Sequence, residues 1–256
     1  MDYRSERNDD ATQCGSRFFW SDAVLVARET SKRYAKVTLQ GDGLPRSIGA
    51  GQFVLVRYKE DPCLPRAFSV MSCSQQGLGF FVKTEGRVRE KFAQCPMGTE
   101  FEVRGPYGTP YAQLVSSGRR YILVGGGSGA APLLFFHQQY ASRVAGAVYG
   151  FRTADACDLL PNTPLVIEEE TGIRAADRVD AVWEEGLGVI ACGPEPMLRL
   201  LARRFRGHPD IYVSLEARIG CGIGTCLGCS IETRSGMRRI CTDGPLFPVC
   251  ELPWLM

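Results

Sequence analysis

At 256 residues the chain has room for two domains and a small appendage, and with 45% hydrophobic and 23% charged residues it has an ordinary globular composition. A formal charge of +2 provides no strong basic field, which excludes nucleic acid as the main partner. No apolar run approaches the length of a membrane span, so the composition predicts a cytoplasmic protein without a membrane partner.

The opening stretch, MDYRSERNDDATQCGSR, is polar and mixed in charge. It has neither the signal-peptide nor the transit-peptide pattern, and residues 1–17 are expected to form a disordered tail. From residue 18 to 112 the texture is short, β-rich and punctuated. AVLVARE, YAKVTLQG, GQFVLVRY, AFSVMSC, LGFFVKT and TEFEVRGP are strand-length apolar runs separated by Gly, Pro, Asp or Ser. Such spacing predicts an antiparallel β-barrel. Within it, PRAFSV places Arg66, Phe68 and Ser69 on one strand. Alone, that motif fits an exposed arginine beside a strand aromatic. In a barrel that binds a flavin, Arg66 would pair with a pyrophosphate, Phe68 would lie against the ring system, and Ser69 would hydrogen-bond its edge.

After RGPYGTPY the pattern changes, and residues 113–213 read as strands alternating with helices, the signature of a parallel α/β sheet. VGGGSGAAP follows a strand and opens a helix, so its backbone N–H groups can meet a phosphate. Gly125, Gly127 and Ala130 fit the G-x-G-x-x-G/A spacing, with Gly126 and Gly129 as further small residues. The competing reading is a glycine turn needed only for close helix–strand packing. No acidic residue stands where a strict fingerprint places the ribose ligand, which leaves Arg152 or Asp155 as candidates at the end of the next strand. ACGPEPM closes a later strand, and Cys192 and Gly193 there would line a nicotinamide crevice; a buried small thiol is the plain alternative. The two histidines, His137 and His208, read as structural, and RLLARRFR reads as a solvated helix end.

The last segment, residues 214–256, holds the sharpest signal. Of eleven cysteines, seven (Cys14, Cys63, Cys73, Cys95, Cys157, Cys192 and Cys250) are scattered, and the odd total favours reduced thiols. The other four, Cys221, Cys226, Cys229 and Cys241, read C-x4-C-x2-C followed by a later cysteine, the plant-type spacing for a [2Fe–2S] cluster. Gly220, Gly222, Gly224 and Gly228 give the loop the freedom to fold around a metal. A disulfide framework suits small secreted domains. Structural zinc favours paired C-x2-C knuckles or admixed histidines, and this segment has one such pair and no histidine.

The order of Arg-x-Phe-Ser barrel, glycine-rich strand–helix and Cys-Gly-Pro-x-Pro-Met is similar to the ferredoxin–NADP reductase superfamily. With SLEARIGCGIGTCLGC and ICTDGPLF added, the chain resembles the electron-transfer subunit family of the type B dihydroorotate dehydrogenases, over about residues 18–247. The fold class so implied is β plus α/β: an FAD-binding β-barrel (18–112), an NAD-binding α/β domain (113–213) and a [2Fe–2S] cluster domain (214–256). The resemblance implies FAD contacts from Arg66, Ala67, Phe68, Ser69, Lys83, Gly86 and Arg89. It implies nicotinamide-side contacts from Gly125, Gly126, Gly127, Gly129, Cys192 and Gly193, and cluster ligation by Cys221, Cys226, Cys229 and Cys241. The implied partner is an FMN-containing dihydroorotate dehydrogenase catalytic subunit, in a heterotetramer of two chains each.

Two stretches depart from the family pattern. TEGRVREKF carries Val88 and Arg89 where a Gly-Thr usually touches the flavin pyrophosphate. EEETGIRAAD replaces an acidic, glycine-rich loop, which leaves the choice between NAD and NADP open. The carriers themselves order the chemistry. A nicotinamide exchanges hydride, a [2Fe–2S] cluster exchanges single electrons, and a flavin does either, so FAD belongs between them and no side chain need act as acid or base on a substrate. The same carriers suit an electron-transfer subunit of a hydrogenase, sulfide dehydrogenase or transhydrogenase, and a flavin-binding redox sensor is the reading from a different class.

Overall fold

The computed structural model describes residues 19–59, 65–115 and 118–256, with backbone alone at 87 and 88. The expected tail, Cys14, Cys63 and the Val88 side chain lie outside the described residues. Seven strands form the first sheet: β1 (Ser21–Thr30), β2 (Tyr34–Gln40), β3 (Phe53–Tyr58), β4 (Arg66–Ser69), β5 (Ser72–Ser74), β6 (Gly77–Lys83) and β7 (Glu100–Tyr107). All pairings are antiparallel, in the order β4-β3-β7-β1-β2-β6-β5. The two edge strands, β4 and β5, are joined by Val70 and Met71 alone, so the sheet must curl. Those two residues close it: Val70 donates its N–H to the Gln52 carbonyl before β3 (3.2 Å), and Met71 donates to Gly79 on β6 (2.8 Å). Helix α1 (Arg87–Gln94) covers the open end with Phe92, whose ring lies 5.0 Å from Phe101 and 5.1 Å from Phe68. Truncating so enclosed a ring to alanine costs about 3–5 kcal/mol.

A four-residue helix, α2 (Tyr111–Leu114), leads into the second sheet. Its strands are β8 (Tyr121–Gly126), β9 (Val144–Phe151), β10 (Leu165–Ile167), β11 (Gly188–Cys192) and β12 (Ile211–Ser214), interleaved with α3 (Ala130–Gln139), α4 (Glu168–Thr171) and α5 (Glu195–Arg204). Every residue of β8, β11 and β12 is buried, as in a parallel sheet covered on both faces. The spatial order is β10-β9-β8-β11-β12, so succession runs outward one way from β8 and the other way from β11. Between β8 and β11 lies a topological switch point, and their carboxyl ends must open a crevice there.

The last segment forms a hairpin, β13 (Ser230–Thr233) with β14 (Gly236–Arg239), a one-turn helix α6 (Ile240–Asp243), and strand β15 (Leu246–Pro248). β15 does not stay with the hairpin: it pairs antiparallel with β12 and becomes the edge of the second sheet. Phe247, Val249, Leu252 and Leu255 then bury themselves in the core shared with Val213 and Leu198. The two sheets meet through an aromatic cluster, Tyr34 stacked 5.1 Å from Phe81 and edge-on 5.4 Å from Phe151. Among the described residues no helix is long and apolar enough to cross a membrane.

Candidate functional site

At the switch point, the first turn after β8 decides what fits. A side chain at Gly129 would stand 2.4 Å from the Cys192 carbonyl oxygen, and one at Gly125 would stand 2.5 Å from the Tyr149 ring. These two glycines let α3 close onto the sheet. Gly126 and Gly127 instead line a cleft, joined by Gly193 from the turn after β11. Gly127 has φ +55, a left-handed backbone that glycine adopts without cost. The glycine motif is therefore divided between packing and a wall bare of side chains. Arg33, Arg152 and Arg174 line the same cleft, with Glu85 and Glu168. Arg33 faces Asp155 at 3.6 Å and Arg174 pairs with Asp177 at 3.1 Å.

A second cleft lies between the barrel and the α/β sheet. Ala67, Phe68 and Ser69 of β4 line it, with Lys83 and Arg89 from the barrel, Ser128 and Cys192 from the switch point, and Ser214 and Glu216 from the end of β12. Phe68 is only 6% exposed, and its ring packs against Phe92 and Phe80 in the barrel interior, so it closes the cleft floor rather than standing free in it. Arg66 stands exposed at the start of β4, beside this lining. Gly86 precedes α1 with φ +96 and no side-chain cap, which leaves the N-terminal N–H groups of α1 open to an anion. Lys83 holds Glu85 at 2.6 Å. The donor set of a hydroxyl, two cations and an uncapped helix start, over an apolar floor, fits a flavin with its diphosphate.

Lys83, Arg89, Ser128 and Glu216 line both clefts. Burial raises the Glu216 carboxyl above the ordinary carboxylate range, and the Arg89 charge opposes that rise. Burial also drives the Cys192 thiol far above its usual value; the Glu216 charge adds to the rise, while Ser214 and Tyr111 counter it. Cys192 therefore sits in the cleft wall as a neutral thiol, not as a nucleophile.

The cluster loop is built from backbone. Gly222 and Gly224 have φ near +80 (80 and 81), and a side chain at Gly222 would strike the Tyr107 ring at 2.7 Å. Leu227 also holds a positive φ of 57, an uncommon conformation for leucine that bends the chain between Cys226 and Cys229. The thiols stand as two pairs. Cys221 accepts N–H bonds from Cys226 (3.5 Å) and Ile223 and interacts with the Cys226 thiol, while Cys241 meets the Cys229 thiol and the Gly224 N–H. Burial works against ionising Cys221, but those N–H donors and the Thr225 hydroxyl outweigh it and bring the thiol down to about 6. Burial, then the Cys229 thiol, pushes Cys241 up to about 12. Among the described residues no group of three or more His, Cys, Asp or Glu is gathered to hold a single metal ion. Two thiol pairs with N–H groups directed at sulfur are the donor set that a two-iron cluster asks for.

The sequence thus names part of the lining and misses more of it. Gly126, Gly127, Gly193, Cys192, Ala67, Phe68, Ser69, Lys83 and Arg89 line the clefts, whereas Gly125 and Gly129 are packed inside. His137 is exposed, and His208 accepts the Asp210 N–H at 3.2 Å. Ser128, Ser214 and Glu216 line the clefts as well, and no binding motif in the sequence singles them out. The available signal for Glu216 is a carboxylate directly after the buried run IYVSL, at the carboxyl end of a parallel strand.

The family model for the iron–sulfur cluster binding domain of dihydroorotate dehydrogenase B matches residues 216–252. The chain is 32% identical over 248 residues to the dihydroorotate dehydrogenase B (NAD(+)) electron transfer subunit of Geobacillus thermodenitrificans (strain NG80-2), covering 90% of this chain and 96% of that protein. It is 28% identical over 251 residues to the subunit of the same name from Streptococcus mutans serotype c (strain ATCC 700610 / UA159), covering 90% and 96%. Among solved structures, a chain of an NADH-dependent reduced ferredoxin–NADP oxidoreductase superposes with a TM-score of 0.77 at 23% identity, covering 91% of this chain and 90% of that one. A ferredoxin–NADP+ reductase from Neisseria gonorrhoeae gives 0.62 at 14% identity, covering 76% and 97%. The fold is the ferredoxin-reductase fold.

Proposed function

This chain belongs to the family of dihydroorotate dehydrogenase B electron transfer subunits, and on that premise we propose that it passes electrons between a dihydroorotate-oxidising partner and NAD, through a [2Fe–2S] cluster and FAD. The observation that carries this reading is continuity. The cleft between the sheets shares Lys83, Arg89, Ser128 and Glu216 with the switch-point cleft, and it is also lined by Ile219 and Ile240, neighbours of the cluster cysteines. FAD, when bound, supplies the junction between hydride and single-electron transfer, and the middle cleft is where that junction is needed.

The chain's own residues bind and orient. Cys221, Cys226, Cys229 and Cys241 hold the cluster. Ala67, Phe68, Ser69 and Lys83 shape the flavin site, with Arg66, Gly86 and Arg89 taking its diphosphate. Gly126, Gly127 and Gly193 give the dinucleotide a bare wall, Gly125 and Gly129 let that wall form, and Cys192 keeps its inner end small and neutral. The partner is an FMN-containing catalytic subunit, two of each chain assembling in the cytoplasm. Because both clefts are taken by carriers, the isolated chain should reduce a dye with NADH yet leave dihydroorotate untouched until the partner is added. Oxidation of dihydroorotate by this chain alone, rigorously freed of partner, would overturn the reading.

A further inference from the structure

The outer face of β7 carries Glu102 and Arg104, two residues apart, while Phe101 and Val103 point into the barrel. Beside them lies Trp20. The guanidinium of Arg57 is 4.2 Å from the Trp20 ring centroid and that of Arg104 is 4.7 Å from it, so two cations share one indole. Two like charges so close repel each other unless something answers them. Arg57 is answered: Glu102 takes its Nε and Nη2 at 2.6 and 3.0 Å. Arg104 is not. Among the described residues no carboxylate pairs with it, and its Nε is buried without a partner. Its Nη2 reaches across to the cluster loop and donates to the Cys221 carbonyl at 3.1 Å.

We propose that Arg104 is a positioning residue for the cluster: a fixed, unneutralised positive charge held against the loop of Cys221 so that the reduced cluster is favoured. The inference rests on the cluster reading given under Proposed function. A cluster held by four thiolates carries net negative charge, and taking up one electron adds one more with no bond made or broken. A nearby cation lowers the cost of that added charge, and net charge and hydrogen bonding around the sulfurs are what set such potentials. Stacking on Trp20 fixes where the charge stands. On that face Glu102 is engaged by Arg57, while Asp22 and Glu100 are engaged by Lys59, so among the described residues none of these carboxylates pairs with Arg104.

The test uses the full chain purified anaerobically with its cofactors, as wild type, Arg104→Met and Arg104→Lys. The cluster midpoint is read by spectroscopic redox titration with the flavin midpoint as internal reference. Arg104→Met should make cluster reduction at least tenfold less favourable, a fall of about 59 mV for a one-electron couple, with the flavin unmoved. Arg104→Lys, which keeps the charge, should stay within about threefold of wild type. A cluster potential unchanged in Arg104→Met, or lowered equally in both variants, overturns the proposal and leaves Arg104 a structural hook. If Arg104→Met fails to retain a cluster, Arg104→Lys decides: a midpoint close to wild type supports the charge, and a tenfold loss overturns it. Wild-type protein without iron and labile sulfide would instead sink the cluster reading itself.

Discussion

The cluster loop and the cleft between the sheets do related work and are built in opposite ways. The loop takes three of its four thiols from a few consecutive residues, with Gly222 and Gly224 supplying the turns, and needs only α6 to bring the fourth. The cleft takes Ser69 from β4, Lys83 from β6, Arg89 from α1, Ser128 from the switch point and Glu216 from the end of β12. A ligand that bonds covalently to metal must be near in sequence or locked in space, and spacing records the first. A ligand that is merely enclosed can be surrounded by anything the fold delivers, and nothing local records it. The loop should therefore fail at single positions and completely, whereas the cleft should fail gradually.

The largest expected effect is on the loop. Cys229→Ser removes one of four thiolates at a buried position, so iron and labile sulfide should fall from about two each per chain to near zero. Most of the barrel core, including Phe68, Phe80 and Phe92, lies in a cluster without Cys229, so the barrel should still bind flavin. Wild-type protein that carries zinc after anaerobic purification would break the comparison outright. Partial iron retention in the variant would show that the loop, like the cleft, tolerates the loss of one contact.

The glycine turn lies between these extremes, and two of its members separate structure from binding. In Gly129→Ala the new methyl meets backbone at 2.4–2.8 Å, from Cys192 and Gly193, which cannot move without shifting β11. A cost of about 3 kcal/mol follows, read as a fall in Tm of roughly 6–12 °C. In Gly127→Ala the methyl faces the open cleft, 3.4 Å from the Tyr34 hydroxyl, so only the left-handed backbone opposes it, at about 1 kcal/mol. That variant should keep most of its stability and lose NADH affinity. Equal stability losses in the two would mean the turn does not divide as drawn.

How much of this was legible follows the same division. Strand runs, the strand–turn–helix after residue 113 and the cysteine spacing are local patterns, and the sequence carries them directly. The closure through Val70 and Met71, the return of β15 to the second sheet, and the approach of Arg104 to Cys221, 117 residues on, are set by sheet order and packing. LFP is too short to read as a strand until β12 offers it an edge. Glu216 follows the same logic: its neighbours in the chain are ordinary, and its neighbours in space, Arg89 and Ser128, come from α1 and from the turn after β8.

In the cleft, single losses should be smaller. On the proposed flavin placement, Arg89→Ala and Arg66→Ala each remove a charge-assisted donor to the diphosphate, beside a helix start without a side-chain cap. Each should weaken FAD retention by roughly tenfold, about 1.4 kcal/mol, without emptying the site. Retention measured by flavin release on dilution checks both. Complete loss of FAD from either variant would mean that the cleft, like the loop, hangs on one group.

The smallest effect concerns Cys192, and its sign can be worked out. Burial is the main reason its thiol is held above the ordinary range, and the Glu216 carboxylate adds to it. A raised thiol value means less thiolate at any given pH, so alkylation of Cys192 should stay slow through pH 8 and rise only above the usual thiol range. Glu216→Gln removes one of the two raising influences and leaves the larger, burial, in place. The thiol value should then fall modestly, the thiolate fraction at pH 9 should increase, and Cys192 should react a few-fold faster. Peptide mapping after iodoacetamide treatment reads this directly, with exposed Cys250 as the reference. Cys192 reacting at pH 8 as fast as Cys250 would show that the cleft wall is open to reagent and solvent. A slower reaction in Glu216→Gln would show that the carboxylate does not face the thiol with its charge.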